Sequence, residues 1–447
     1  MRLKRTEGIK PKLLFLAHPF PPAHSVGSIR TRNIAKHLSC LGWDVTVVTP
    51  DPSLRRKLDG VAVSRSNPEL EDVRRIYTGH NWRCLIPTSF RCWNEGLGRV
   101  GGGFVRLLAR RMGVDRGKGW IKPAEKACGA LTADDVDVIL ATGSPFAAFE
   151  LAGRIAKKIG RPYVLDYRDP WTVRSRRFPD RVIRREERLL RDAAAAIAVS
   201  PAWANALRNR FNVDQKVELI TNDYDPEEAS RAIPHRFDHF AIVYAGTFYP
   251  PRRVVTPFMA ALRELKSHKT EWYFHYYGKK QSHVAEEAEK YGLTDRVVQH
   301  GYVPRQECLS AIRGASIAVV INPANPQPTA HDLGWIPAKL FELLGLGTPL
   351  LYIGTTEGDA AKIIRQAGGG GVFTGQDIGG IASFLSRLME STKISAPGCD
   401  AYSWPKLAEK LDRVLRIAAG LATPTKSSHQ FSGNAGGPPL RIDRGVF

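Results

Sequence analysis

Lys339 and Glu342 stand three residues apart in a segment, Ile336–Leu344, that reads as a helix, so they share one helix face. A cation and a carboxylate presented side by side suit a phosphorylated ligand. The ammonium can neutralise phosphate, and the carboxylate can accept from two ribose hydroxyls. The same pair would serve equally as a surface salt bridge. A second candidate is Ala245-Gly-Thr-Phe-Tyr-Pro-Pro-Arg-Arg253, which follows a strand ending at Gly246 and precedes a helix. Arg252 and Arg253 at its end can hold a diphosphate through bidentate hydrogen bonds. Near the start of the chain, Gly27-Ser28 lies just before a helix. It is either a tight turn or a place where backbone closely approaches a bound sugar or phosphate. GxGxxG does not occur in that loop, so a dinucleotide pocket is not supported.

These groups need a scaffold that brings loop after loop to one edge. Lys12–Ala17 is a short apolar run suited to a buried parallel strand. The loop His18–Ser28, a helix over Ile29–Leu41 stopped at Gly42, and a strand over Asp44–Thr49 complete a βαβ unit. Strands follow at Val136–Ala141, Pro162–Asp166, Ala196–Ser200 and Val217–Thr221. Helices at Phe146–Ile159, Arg181–Ala195 and Pro201–Phe211 alternate with them. The polar stretch Tyr224–Phe240 reads as a linker, after which the pattern restarts. The second array has strands at Phe240–Tyr244, Trp272–Tyr277, Val297–His300, Ile317–Ile321 and Pro349–Ile353. Its helices are Val255–Lys266, His283–Tyr291, Gln306–Gly314, Ile336–Leu344 and Ala360–Ala367. Strands alternating with helices predict an α/β fold of two doubly wound parallel sheets, with ligands outside the carboxyl ends of the strands. The expected domains are 1–225, carrying a loop-and-helix insertion over about 52–132, and 226–420. The Pro-, Gly- and Ser-rich stretch 421–447 is expected to be a disordered tail.

Composition bounds the alternatives. The 447 residues are 43% hydrophobic and 24% charged, as in an ordinary globular protein of two domains. No stretch approaches the roughly 20 apolar residues of a membrane helix, and Leu13–Ala17 is too short for a signal-peptide core, so a cytoplasmic protein is expected. The six cysteines (Cys40, Cys84, Cys92, Cys128, Cys308, Cys399) form no metal-ligand spacing. The formal charge of +21 attracts polyanions generally. Cations cluster at Arg106–Lys118 and at Arg174–Arg185, without a zinc-finger spacing or an aromatic RNA-binding stretch, so nucleic acid is not expected as a partner. Phe104–Met112 is a basic amphipathic stretch, read as an ordinary packed helix or as a segment lying on an anionic membrane.

Taken in order, several short segments resemble the family 4 glycosyltransferases, and in particular the branch that builds bacterial surface polysaccharides. They are Pro21-Pro22 with Gly27, Asp166-Tyr-Arg-Asp-Pro-Trp171, Ser200-Pro201, Thr221-Asn-Asp-Tyr-Asp225, Tyr244-Ala-Gly-Thr247, Gly301-Tyr-Val-Pro304, Pro337-Ala-Lys-Leu-Phe-Glu342, Pro349-Leu-Leu and Tyr402-Ser-Trp404. The resemblance implies a GT-B fold, in which two Rossmann-like domains face each other across a cleft, and retaining transfer without a bound metal. By it, Arg252 and Lys339 bind the donor diphosphate, Glu342 the ribose, and the backbone near Val303 the base. Gly27 faces the donor phosphate, Arg168 and Asp169 lie on the acceptor side, and the helix Trp404–Ile417 returns to brace the first domain. Asp169 is a candidate to favour positive charge in the sugar, a structural pair with Arg168 being the alternative.

Three positions depart from the family pattern. Gly334 stands where the first of two glutamates flanking seven residues is usual, with Asp332 nearby as a substitute. Thr247 replaces an arginine, which leaves the phosphate site to Arg252 or Arg253. Arg168 replaces a histidine, a change the polysaccharide branch shares.

The expectation is therefore a hexosyltransferase. It would move a hexose or N-acetylhexosamine from a nucleoside diphosphate sugar, UDP first among the bases, to a lipid-linked or saccharide acceptor. No cofactor beyond that donor is expected. An anionic membrane surface is a further partner, reached peripherally from the cytoplasmic face. The alternatives are a nucleotide-sugar epimerase on the same fold and a non-catalytic scaffold that kept it.

Overall fold

A computed structural model gives the architecture and describes residues 10–23, 26–53, 70–79, 115, 117–173, 178–248, 250, 255–323, 327–391 and 400–422. Two parallel sheets account for the strands. The first has seven: β1 (Lys12–Leu16), β2 (Asp44–Pro50), β3 (Arg74–Thr78), β4 (Val138–Gly143), β5 (Tyr163–Tyr167), β6 (Ala195–Ala198) and β7 (Val217–Leu219), in the order β3-β2-β1-β4-β5-β6-β7. The second has six: β8 (Phe240–Ala245), β9 (Trp272–Tyr277), β10 (Val297–Gly301), β11 (Ile317–Ile321), β12 (Leu350–Ile353) and β13 (Gly370–Phe373), in the order β10-β9-β8-β11-β12-β13. Central strands such as β4 and β11 are buried along their whole length. That is why they read as continuous apolar runs and not as alternating patterns.

The first sheet carries helices α1 (Val26–Cys40), α2 (Ile121–Ala127), α3 (Ala147–Ile159), α4 (Asp180–Asp192) and α5 (Pro201–Phe211), and the short α6 (Pro226–Ser230) follows β7. The second carries α7 (Thr256–Glu264), α8 (Ser282–Lys290), α9 (Arg305–Gly314), α10 (Ala330–Leu333), α11 (Ala338–Leu346), α12 (Asp359–Ala367) and α13 (Ile378–Glu390). The chain ends in α14 (Trp404–Ala419). Local signals set their bounds. Ser200 caps α5 by accepting from Trp203 N, with Pro201 at the first helical position. Pro337 precedes α11, and Gly347 ends it in the left-handed region at φ 69°.

Each sheet reverses its winding once. The central strand β1 pairs with both β2 and β4, Leu14 lying opposite Thr46 and Ile139. In the second sheet β8 pairs with both β9 and β11, Ile242 lying opposite Phe274 and Ile317. The loops after β1, β4, β8 and β11 therefore open onto the crevices where such sheets take ligands.

Helix α14 does not stay with the second sheet. Trp404, Leu407, Leu411 and Leu415 pack among Phe15, Leu38, Trp43 and Val45 in the first domain's core. Trp43 Nε1 donates to Asp412 Oδ1 at 2.6 Å. Burial of each such leucine contributes roughly 1.5–3 kcal/mol.

One element differs from the sequence reading of residues 52–132 as loops and helices: Arg74–Thr78 is an edge strand beside β2, with the helix Ile121–Ala127 beneath it. Trp120 Nε1 donates to Thr78 Oγ1 at 2.7 Å and ties the two together. The strand Arg74-Arg-Ile-Tyr-Thr78 is half exposed and carries too little apolar alternation to announce itself. Residues 54–69, 80–114 and 116, which include Phe104–Met112 and most of the first basic cluster, lie outside the described residues. So do 174–177 and 423–447, the latter holding nearly all of the expected tail.

Candidate active site

The second-domain side is built where β8 ends. Gly246 turns the chain there with φ +146°, a conformation side-chain-bearing residues avoid, and a Cβ on it would fall 3.2 Å from Lys339 Nζ. Lys339 sits in the first turn of α11. Its Nζ donates to Ala245 O at 3.1 Å and lies 3.8 Å from the centroid of the Tyr244 ring. The ammonium is thus held at the carboxyl end of the central strand, beside a helix N-terminus whose dipole favours anions. One turn along, Glu342 Oε1 accepts from Arg305 Nη2 at 2.7 Å.

Lys339, Glu342 and Val303 all line one cavity of about 290 Å³. Val243, Leu309 and Ile312 give it an apolar wall, and Arg305 and Cys308 complete the circuit. Burial pushes the Cys308 thiol up to about 11, with Glu342 adding to the effect, so Cys308 is a neutral wall residue at physiological pH. The cavity can take a ligand with an apolar, planar part, a hydroxylated part and an anionic part. Arg252 and Arg253, expected at the anionic end, lie outside the described residues.

The first-domain side is built at the ends of β4 and β5. Arg168 follows β5, and its guanidinium lies directly on Gly27, where a Cβ would fall 2.2 Å from Nη1. Its Nη2 donates to Ser144 O, and its backbone N donates to Gly143 O at 3.1 Å. Asp169 Oδ2 accepts from Ser144 Oγ at 3.2 Å and lies 3.9 Å from Arg168 Nε. The Asp169 side chain is 49% exposed. Gly27 and Arg168 are therefore brought together. Behind this loop, Glu186 Oε2 accepts from Thr172 N at 2.9 Å.

Several groups at the site were given no role from sequence. Arg30 forms a buried two-point pair with Asp166, at 3.2 and 2.8 Å, and also donates to Thr221 O at 2.7 Å. Thr142 Oγ1 donates to the same carboxylate at 2.8 Å. This cluster ties α1 to the ends of β4, β5 and β7. Asp223 lies 3.9 Å from Arg30 Nη1, and its burial raises its pKa, with Arg30 opposing and Glu342 adding. The signals for these groups were the runs Asp166–Trp171 and Thr221–Asp225, neither of which says anything of Arg30.

Gly334, where a glutamate was expected, is filled from the first domain. A Cβ there would lie 2.2 Å from Trp203 Cδ1 and 2.7 Å from Ser200 Oγ. Trp203 Nε1 donates to His331 O at 3.2 Å, and Ala202 N donates to Asp359 Oδ2 at 2.7 Å. Asp332, named as a substitute, caps its own helix: Oδ2 accepts from Thr329 N at 2.9 Å and from Thr329 Oγ1 at 2.8 Å. Among the described residues no cluster of three or more His, Cys, Asp or Glu can hold a metal ion, and no helix is long and apolar enough to cross a membrane.

Residues 27–223 match the family model described as a glycosyl transferase 4-like domain, and residues 239–391 match that of the glycosyl transferases group 1. No curated protein matches the sequence. Among solved structures the fold is similar to sucrose-phosphate synthase from Thermosynechococcus elongatus (14% identity, 92% of this chain and 94% of that one, TM-score 0.58). It is also similar to the lipopolysaccharide outer core galactosyltransferase WaaB (12% identity, 91% and 99%, TM-score 0.56). A third is Anabaena HepE in complex with UDP and glucose (15% identity, 92% and 98%, TM-score 0.54). With both domain models matched in tandem, one on each sheet, and the GT-B architecture of two facing Rossmann-like domains, the chain belongs to the glycosyltransferases.

Proposed function

We propose that the protein moves a hexose or N-acetylhexosamine from a nucleoside diphosphate sugar to a lipid-linked or saccharide acceptor, with retention and without a metal. The observation that carries this reading is the single cavity at the β8–β11 crevice, which gathers Lys339, Glu342 and Val303. The base lies against the apolar wall near Val303, the ribose hydroxyls donate to Glu342, and the diphosphate meets Lys339 beside the α11 N-terminus. Arg252 and Arg253, which follow Gly246 in the sequence, are proposed to add charge to the same phosphates. Breaking the sugar–phosphate bond develops negative charge on the departing diphosphate. A cation fixed there before the reaction stabilises the transition state without reorganising. Gly27 faces the donor phosphate from the first domain, and Arg168 and Asp169 stand on the acceptor side, Asp169 favouring positive charge at the sugar. Uracil is the first base to test, since UDP is bound by HepE. The net charge of +21 suits an acceptor anchored in an anionic membrane, approached from the cytoplasmic face and released by salt.

The test is release of nucleoside diphosphate from UDP-glucose, UDP-galactose, UDP-N-acetylglucosamine and GDP-mannose, with a bacterial lipid extract as acceptor and EDTA present. Turnover of one donor in EDTA, with the anomeric configuration kept in the product, is the expected result. Activity that disappears in EDTA and returns with a divalent ion would remove the metal-free part. Binding without turnover of any donor would favour the scaffold reading, for which the filled place at Gly334 is the supporting observation.

A further inference from the structure

The geometry points to Arg305 as the residue that positions Glu342 for the ribose and ties that grip to the first domain; this rests on the nucleotide reading above. Arg305 opens α9 and lines the same cavity as Glu342. Its Nη2 donates to Glu342 Oε1 at 2.7 Å. The same guanidinium grips Glu228 at two points, Nε to Oε1 at 2.6 Å and Nη2 to Oε2 at 2.9 Å. One planar cation therefore holds two carboxylates, one from the cavity wall and one from α6, in the segment that joins the domains. Glu228 Oε2 lies 3.9 Å from Arg32 Nη2, and its neighbours Asp225 and Glu227 take Lys36 Nζ at 3.3 and 2.9 Å. Arg32 and Lys36 both belong to α1. A line of alternating charge runs from α1 of the first domain, through α6, to Glu342.

The consequence follows from the geometry of a carboxylate. A glutamate that accepts from two neighbouring hydroxyls must keep its plane fixed, and a free side chain would have to be ordered on binding. Arg305 orders it beforehand through one oxygen, leaving Oε2 and the second lone pair of Oε1 for the ligand. Lysine does not reproduce this, because an ammonium lacks the planar fork that grips both oxygens of Glu228 while fixing Glu342 Oε1. The signature is ribose reading. A nucleotide that lacks the 2′-hydroxyl keeps only the 3′-hydroxyl for Glu342 and gains less from its placement.

Calorimetric titration of the full chain with UDP, GDP, ADP and their 2′-deoxy counterparts tests this. The proteins are the wild type, Arg305→Met, Arg305→Lys and Glu228→Gln. The wild type is expected to prefer its best ribonucleotide over the deoxy form by about tenfold, the range for hydrogen bonds to a charged group. Arg305→Met and Arg305→Lys should cut that preference to within about threefold, lowering ribonucleotide affinity more than deoxynucleotide affinity. Glu228→Gln, which keeps the cation and loosens its far anchor, should fall between, and it carries the test if the Arg305 variants do not fold. A purely structural Arg305 would weaken both nucleotides alike. Full preference retained in the folded variants overturns the inference and leaves the donor site standing. No binding of any of the six by the wild type overturns both.

Discussion

Lys339 and Glu342 present their charges to an open cavity, each held by a neighbour: Ala245 O and the Tyr244 ring for one, Arg305 for the other. Across the cleft, Arg168 directs its guanidinium onto Gly27 and the Ser144 carbonyl of its own domain. A ligand entering the second domain meets a formed site. On the first, the Arg168 guanidinium already fills the space a side chain on Gly27 would take. The contrast extends to the supports. The cavity rests on contacts at a sheet end, whereas the first-domain loops rest on buried ionisable groups: the Arg30–Asp166 ion pair at their root and the Glu186 carboxyl behind Thr172.

Removing that buried charge gives the largest effect. Arg30→Met leaves Asp166 buried without its cation and should destabilise the first domain by about 3–5 kcal/mol. Urea unfolding followed by tryptophan fluorescence measures it. A loss below about 1 kcal/mol would mean that the carboxylate is not held by the ion pair.

Glu186 sharpens the same point through pH. Burial pushes its carboxyl up to about 7 from an ordinary 4.5, with Thr172 opposing. The folded state then binds a proton that the unfolded state has lost, so this group's contribution to stability falls as pH rises from about 4.5 to about 7 and is level above that. Glu186→Gln should gain on the wild type across that window, by an amount on the order of 3 kcal/mol at pH 8. Stability profiles that stay parallel from pH 4 to 8 would contradict the assignment.

The point where the halves touch should respond less. Gly334→Ala places a methyl against Trp203 and should cost about 1–3 kcal/mol. The cost should largely vanish in a Trp203→Ala background, because the two changes share one contact. Equal costs in both backgrounds would show that Trp203 does not press on Gly334 in solution.

The same contrast marks what the sequence made legible. Lys339, Glu342, Val303 and Gly246 follow strands whose apolar runs are plain to read, and their motif spacings are local. Arg305 was not legible because its partners stand 37 and 77 residues away. Arg30 meets Asp166 across 136 residues, one arginine among many in a basic chain. Most of the fold was read, and among the elements that were not are the strands β3 and β13 and the helix α13. Strand β3 opens with two arginines, and β13 begins within the glycine run Gly368–Gly371, so neither carries the apolar signature of a buried strand. Gly334 was noted as a missing glutamate. That its space is taken by Trp203 appears only when the two domains are assembled.

The central claim is that the β8–β11 crevice is a nucleoside diphosphate site anchored by Lys339. Thermal unfolding of the wild type and of Lys339→Ala, with UDP, GDP, ADP, CMP or NAD and no metal added, tests it most directly. One nucleoside diphosphate should raise the wild-type melting temperature by mass action. The lysine variant should melt normally without ligand and lose about tenfold or more in affinity for that nucleotide. No shift with any nucleotide, or an equal shift in both proteins, would contradict it.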